Sequence, residues 1–429
     1  MRVVYLNPCG QMGGAETSLR ELLTGVKLAE PEWDLHLVLG EDGPLADIAR
    51  QLKVHVRLLP FPPELASVGD SGKGGVLGTI AGTIAPLPKA VIPVLNYTRK
   101  LSRILRGLQA DIIHTNGFKM HLLGAHARPP ETALVWHIHD YVRRRPMMSR
   151  LLRYRAKSCA AVIANSNSVA TEVRELFPKL KTATIYNAID LERFSPAGMR
   201  LDLDAIAKLP PATANTVRIG LIATFARWKG HKNFLAALAR IPAGVNVRGY
   251  IVGAPIYQTQ SSQWSMAELQ EETRRLGLEN RVGFTGFLDD PAAAMRSLDV
   301  VVHASTDPEP FGMVIIEGMA CGKAVIASRA GGATELFIDG EDAVGHRPGD
   351  AADLADQILR VVGDASLRKH LGEAGRAKAE CLFNRHRLTQ ELLGLYASAT
   401  GSGPRPSVVR DSSSIYGQEP AKRVHTCAK

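Results

Sequence analysis

The sequence predicts an α/β protein of two doubly wound, Rossmann-like domains facing a central cleft. At 429 residues the chain exceeds what one hydrophobic core normally organises. Hydrophobic residues make up 45% and charged residues 22%, the balance of a soluble globular protein. Short unbroken apolar runs alternate with longer helix-like stretches, and that is how parallel strands covered by helices on both faces read.

The runs fall at 3–6, 35–39, 111–114, 134–137, 161–164 and 184–186 in the first half. In the second half they fall at 218–223, 249–252, 282–284, 300–302 and 324–327. Ser195-Pro-Ala-Gly and Leu209-Pro-Pro-Ala break the periodicity between them. The expected division is a first domain over 1–195, a linker over 196–216 and a second domain over 217–385. A helix over 386–399 and a polar, disordered tail over 400–429 complete it. Five cysteines show no zinc spacing, and the chain starts on a strand without a signal-peptide layout. A reduced cytoplasmic setting is the expectation.

The chemistry concentrates after the run at 300–302. Glu309 and Glu317 have seven residues between them, in Glu309-Pro-Phe-Gly-Met-Val-Ile-Ile-Glu317. Pro310 disfavours helix at Glu309 and puts a helix start close behind it, with the helix expected over 312–321. A helix N-terminus offers unpaired N–H groups and partial positive charge, a site for phosphate. Carboxylates accept well from sugar hydroxyls, so one on each side of a diphosphate site suits a nucleotide sugar. Glu317 has apolar neighbours, so its carboxylate needs a partner.

This stretch, with Met319-Ala-Cys-Gly-Lys-Ala-Val-Ile-Ala-Ser328 and Gly331-Gly-Ala-Thr-Glu335, resembles the retaining glycosyltransferases of family four, which have the GT-B fold. The resemblance covers most of the chain. It implies that Glu309 holds sugar hydroxyls, that Glu317 holds the ribose, and that backbone N–H groups of Phe311, Gly312, Met313 and Val314 hold sugar and phosphate. It also implies a C-terminal helix that crosses back onto the first domain.

In Ala223-Thr-Phe-Ala-Arg-Trp-Lys-Gly-His-Lys232 the family carries a Gly-Arg pair and then Lys-Gly, whose cations hold the diphosphate. Lys229 matches the Lys. Thr224 stands where the family has Arg, and Arg227 is the candidate substitute, its planar fork suiting a diphosphate. Lys232 reads as a surface charge. Gly13 and Gly14 lack dinucleotide-fingerprint spacing but let backbone approach a phosphate or sugar at a helix start. The family has a similar loop here. In His137-Ile-His139-Asp140 the resemblance aims His139 at the donor sugar, while His137 and His114 read as strand histidines. His137 and His139 have no third ligand, so zinc is not expected.

The stretch from Asp140 to Lys157 carries Arg143, Arg144, Arg145, Arg150, Arg153, Arg155 and Lys157 interleaved with methionines and leucines, and no acid follows until Glu172. This reads as a surface for anionic lipid or as a solvated helix face. Nucleic acid is not favoured despite a net charge of +10, because no recognition motif accompanies the charge. The largely apolar segment 74–95 contains Pro86, Pro88 and Pro93. That argues for a loop or shallow interfacial element on the membrane surface instead of a transmembrane helix.

The expected function is that of a retaining glycosyltransferase moving a sugar from a UDP- or GDP-sugar to a lipid-linked or saccharide acceptor hydroxyl, in cell-surface polysaccharide or glycolipid synthesis. Catalytic roles fall to His139, Glu309, Lys229 and Arg227. Donor binding falls to Gly13, Gly14, Phe311, Gly312, Met313, Val314 and Glu317. No cofactor or metal is expected, since no cluster of His and Asp with ligand spacing is read from the sequence. Two alternatives are a nucleotide-sugar 2-epimerase, which shares the GT-B fold, and a non-catalytic nucleotide-sugar sensor.

Overall fold

The computed structural model describes residues 1–62, 87–255 and 262–401. The first domain runs β1 (Arg2–Asn7), α1 (Gly14–Ala29), β2 (Asp34–Leu39), α2 (Pro44–Gln51), β3 (His55–Leu58), α3 (Leu87–Leu108), β4 (Ile112–Asn116), α4 (Phe118–Ala127), β5 (Ala133–Ile138), α5 (Pro146–Arg155), β6 (Ala161–Ala164), α6 (Asn167–Leu176) and β7 (Thr182–Thr184). After the short α7 (Leu203–Ile206) the second domain begins with β8 (Val217–Ile222), α8 (His231–Arg240), β9 (Val247–Val252), α9 (Met266–Arg275) and β10 (Val282–Gly286). It continues through α10 (Pro291–Arg296), β11 (Val300–His303), α11 (Met313–Ala320), β12 (Ala324–Ser328) and β13 (Val344–His346) to α12 (Ala351–Gly363), α13 (Ala365–Leu382) and α14 (Arg385–Ala399).

The strands form two all-parallel sheets, ordered β3-β2-β1-β4-β5-β6-β7 and β10-β9-β8-β11-β12-β13. In each, the first strand of the domain lies inside the sheet and the order reverses beside it, which is where doubly wound sheets open a ligand crevice at their carboxyl ends. Helices cover both faces. In the first domain one core joins Val4, Ile113, Leu134 and Trp136 to Leu101 and Leu105 of α3. The other joins Tyr5, Leu37 and Val135 to Leu19 and Leu23 of α1, and to Leu388, Leu392 and Tyr396 of α14.

Local chemistry sets the boundaries. Ser166 caps α6 by accepting from the Val169 N–H, and Ser265 and Glu268 form a capping box on α9. Asp290 caps α10 with Pro291 in its first turn.

Two expectations change. The prolines of 74–95 argued for a loop or shallow interfacial element instead of a transmembrane helix; from Leu87 on the segment is the start of α3, which carries Pro93 within it. Pro93 removes one helical N–H, but Tyr97, Leu101 and Leu105 recur every four residues and bury one stripe against the sheet, which holds the helix together. Residues 74–86 of that segment lie outside the described residues, as does the expected tail beyond 401. The helix expected over 312–321 is Met313–Ala320, because Gly312, at φ +111°, is its N-cap. Strands β3 and β13 were not read from the sequence, being an exposed edge and a three-residue strand.

Chain passes between the domains twice, and the two passes touch. Ile189 bridges to Asn384, and its N–H donates to the Phe383 carbonyl at 2.9 Å. α14 then lies on the first domain, where Arg385 pairs with the buried Glu21 of α1 at 2.6 Å. Among the described residues no helix is long and apolar enough to cross a membrane.

Candidate functional site

The strand β11 ends at His303, and the loop after it carries Ser305 and Glu309 into the space above the second sheet. Backbone fixes the loop. The Glu309 N–H donates to the Ala330 carbonyl at 3.3 Å, and the Gly332 N–H donates to the Glu309 carbonyl at 2.7 Å. Gly331 makes this approach possible: at φ +68°, a Cβ there would lie 2.5 Å from the Glu309 carbonyl oxygen and 2.6 Å from the Tyr141 hydroxyl.

The Glu309 carboxylate is buried and heavily engaged. Lys229 Nζ donates to both oxygens, at 3.0 and 2.9 Å. Ser305 Oγ donates to Oε2 at 2.8 Å, and His303 Nε2 lies 3.2 Å from the same atom. The Ser328 N–H donates to His303 Nδ1 at 3.3 Å, which makes Nε2 the protonated nitrogen that faces Glu309. Burial alone would push the Glu309 carboxyl up, but the Lys229 charge and the His303 hydrogen bond outweigh it and hold the group well below the usual carboxylate range. Lys229 reaches the site because Gly230 takes φ +78° directly against β11; a Cβ there would meet the Ala304 carbonyl oxygen.

Glu317 is the opposite case. It lies on α11, and its carboxylate makes no hydrogen bond or ion pair with any described residue. Burial pushes its carboxyl up to about 7, against the pull of Arg20 and Arg193, with Glu21 adding to the rise. The partner that its apolar surroundings demand is not a protein side chain. Between the two carboxylates lies the N-terminus of α11, where Gly312 carries no capping side chain. Phe311 is buried against Tyr186 and Phe383 and anchors the turn. Met313 and Val314 open the helix.

The first domain closes over this from the other side. Gly13 caps α1 without a side-chain contact, and a Cβ on Gly14 would meet nothing within 4 Å, so the start of α1 is open. Ser18 of α1 donates to Asn187 Oδ1 at 2.8 Å, and Asn187 Nδ2 points to Met313 Sδ at 3.6 Å, tying α1 to the start of α11. Tyr141 donates to the Glu309 carbonyl at 3.4 Å, and Arg144 to the Pro308 carbonyl at 2.7 Å. His139, just past β5, has Nε2 3.1 Å from Asn116 Oδ1. Burial pushes its imidazole down to about 4, so the ring is neutral.

Of the sequence candidates, the structure brings Lys229, Glu309, Glu317 and the start of α11 together, and sets α1 opposite. Arg227 is not brought to Lys229: its guanidinium stacks on Trp264 at 3.8 Å and faces Glu268 at 3.6 Å. Lys232 shares the same ring at 4.2 Å. His303, Ser305, Tyr141 and Glu335 were missed. His303 and Ser305 alternate at a strand end, a signal that was present but weaker than the paired acids.

The fold and site are matched by known proteins. The profile described as "Glycosyl transferases group 1" matches residues 210–378, and that described as "Glycosyltransferase Family 4" matches residues 12–193. The two matches cover both domains. The chain belongs to the group 1, family 4 glycosyltransferases. Crystal structures of the Anabaena protein HepE superpose on this family 4 chain with TM-scores of 0.71 in complex with UDP and 0.72 with UDP and glucose. Both are 28% identical and cover 93% of this chain and all of HepE. The N-acetyl-alpha-D-glucosaminyl L-malate synthase of Bacillus anthracis is 26% identical over 253 residues, 58% of this chain and 63% of that protein. The lipopolysaccharide core biosynthesis glycosyltransferase LpsE of Rhizobium meliloti (strain 1021) is 29% identical over 250 residues, 58% of this chain and 67% of LpsE. The matched segments thus span about two thirds of these curated relatives. Two facing parallel sheets with strand ends around one cleft make this family 4 chain a GT-B protein.

Proposed function

We propose that this protein is a retaining, metal-independent glycosyltransferase that takes a sugar from a UDP-sugar and passes it to a hydroxyl of a saccharide or lipid-linked acceptor in polysaccharide or glycolipid synthesis. One observation carries the reading: Lys229, held at 2.9 Å by buried Glu309, stands beside an uncapped helix N-terminus, and an unpartnered Glu317 lies further along that helix. A cation and oriented N–H groups fixed before the reaction stabilise the negative charge that develops on a departing diphosphate. Glu317 is suited to the ribose hydroxyls, and the Glu309 Oε1 lone pair not used by Lys229 to a sugar hydroxyl. With Glu309 already saturated on Oε2, a covalent glycosyl-enzyme through it is disfavoured, and front-face attack with the leaving phosphate taking the acceptor proton fits better. UDP is favoured over GDP by the 28% identical HepE, whose structures hold UDP and UDP-glucose.

The test is a panel of labelled UDP- and GDP-sugars, with membrane extract as acceptor source and with EDTA. Transfer from a UDP-sugar that survives EDTA is expected. Epimerised product, binding without turnover or strict metal dependence would each sink the reading. Lys229→Ala should lower turnover at least about tenfold.

A second observation favours a membrane-surface acceptor, with a correction to where the surface lies. Arg143 pairs with Glu175, Arg144 with the Pro308 carbonyl, and Arg145 with Asp140 and the Phe118 ring, so these three serve the fold. Arg150, Arg153 and Lys157 are exposed and make no ion pair among the described residues, beside Met147, Leu151 and Tyr154, which are 45%, 42% and 77% exposed. Each cation near anionic lipid contributes about 1 kcal/mol. Co-sedimentation with anionic vesicles should fall when Arg150, Arg153 and Lys157 become Ser, with donor affinity unchanged; equal sedimentation would leave them a solvated face.

A further inference from the structure

Four adjacent strands of the first domain, β1, β4, β5 and β6, each end in a side chain with one unmatched polar atom. These are Asn7 Oδ1, Asn116 Nδ2, His139 Nδ1 and Asn165 Oδ1, and none has a hydrogen-bond partner among the described residues. A buried polar atom without a partner costs folding free energy and is rare, so four at the ligand end of one sheet call for a reason. No charge is among them: the collar is built of amides and a neutral imidazole. That chemistry recognises hydroxyls, which both donate and accept.

His139 sits at the centre. Its backbone carbonyl accepts from Asn165 Nδ2 at 3.3 Å on the β6 side, and its Nε2 meets Asn116 Oδ1 at 3.1 Å on the β4 side. Beneath it the His137 ring lies 4.0 Å away, and His137 Nδ1 is 3.2 Å from His114 Nε2, whose Nδ1 is 2.7 Å from the Tyr396 hydroxyl of α14. The imidazole is thus held from the β4 side and from below, and its backbone from the β6 side.

We propose that Asn116 is a positioning residue that holds His139 as the Nε2–H tautomer, so that Nδ1 is a bare acceptor and the site selects a donor sugar by a hydroxyl that gives it a proton to share. The argument is one of matching: an amide oxygen at Nε2 takes the ring's single N–H, and the remaining lone pair has no protein donor to satisfy it. Asn165 fixes the backbone and does not touch the ring. This deepens the proposed function, resting on His139 as a donor contact.

The experiment reads the tautomer directly and then the selection. In the full chain with ¹⁵N-labelled histidine, the His139 resonances, assigned by their loss in His139→Ala, should show Nε2 protonated at neutral pH. Asn116→Ala should give a tautomer mixture, and Asn165→Ala should not. Each sugar hydroxyl of the donor that supports turnover is then replaced in turn by hydrogen or by fluorine, which cannot donate. At one position both replacements should cut kcat/KM by at least about a hundredfold, and in His139→Ala and Asn116→Ala that penalty should shrink to a few-fold. Protonated Nδ1 in the wild type, an unchanged tautomer in Asn116→Ala, or a fluorine analogue used as well as the parent donor would overturn the inference. A locked Nε2–H tautomer with wild-type turnover in His139→Ala would instead overturn the donor contact itself.

Discussion

Glu317 and Glu309 are two carboxylates on one loop and helix with opposite electrostatics. Glu309 meets a lysine, so it stays ionised through the physiological range; its folded-state pKa is depressed, and the stability it contributes is present above the usual carboxylate value and lost only as pH falls through the lower folded value. Glu317 meets no donor, and its folded pKa is raised to about 7. Ionising it in the folded protein is uphill, so the protein is held relatively firmer at low pH and loses that margin as pH rises between its usual value and about 7. A ribose hydroxyl that donates to Glu317 would favour the ionised form, so nucleotide binding should release a proton below neutrality. Affinity for a UDP-sugar, whose esterified diphosphate does not titrate in this range, is expected to rise with pH between about 5 and 7, and calorimetry in buffers of different ionisation heat should detect the proton; Glu317→Gln should abolish both, and an unchanged pH profile would separate Glu317 from the nucleotide. The paired acids and Lys229 were legible because glycine, proline and charge sit close together in sequence. His139's clamp was not, since Asn116 and Asn165 are ordinary loop-like residues until strand order sets them on either side of β5.

At the scale of elements, α6 has two caps of different origin. Ser166 serves it locally, and Ser166→Ala should cost about 1 kcal/mol in thermal unfolding of the first domain. Glu335 serves it from the other domain: its carboxylate accepts from the Asn167 and Ser168 N–H groups, each at 2.7 Å, and from the Tyr186 hydroxyl at 3.0 Å. A carboxylate on a helix N-terminus is electrostatically favoured, and this one lies four residues past Gly331, which is bridged to Glu309. Glu335→Ala is expected to leave each domain folded but to widen the molecule in small-angle scattering and to raise KM more than it lowers kcat. An unchanged scattering profile would show that the contact does not govern closure. Such a pairing spans 168 residues and leaves no local pattern; Pro93 is visible in the sequence, while the buried stripe that keeps α3 helical around it is read only against a sheet.

Across the whole molecule, the two Rossmann-like sheets were legible from the alternation of apolar runs, while their closure was not. The last helix belongs physically to the first domain. Leu388, Leu392 and Tyr396 are almost wholly buried there, and Thr389 packs where a Cβ on Gly25 would stand 2.0 Å from its hydroxyl. Removing residues 385–429 should therefore strip one face of the first sheet and leave an insoluble or molten first domain, measurable by dye binding and by loss of a cooperative transition. A fully cooperative first domain in that truncation would contradict the packing described.

The side-by-side contact of Ile189 with Phe383 and Asn384 has a mechanical meaning. One connecting segment would act as a ball joint, leaving the domains free to swivel and twist. Two segments bonded to each other act as a door hinge, permitting rotation about a single axis. The Tyr141, Arg144 and Glu335 contacts lie across the cleft that such a hinge would open.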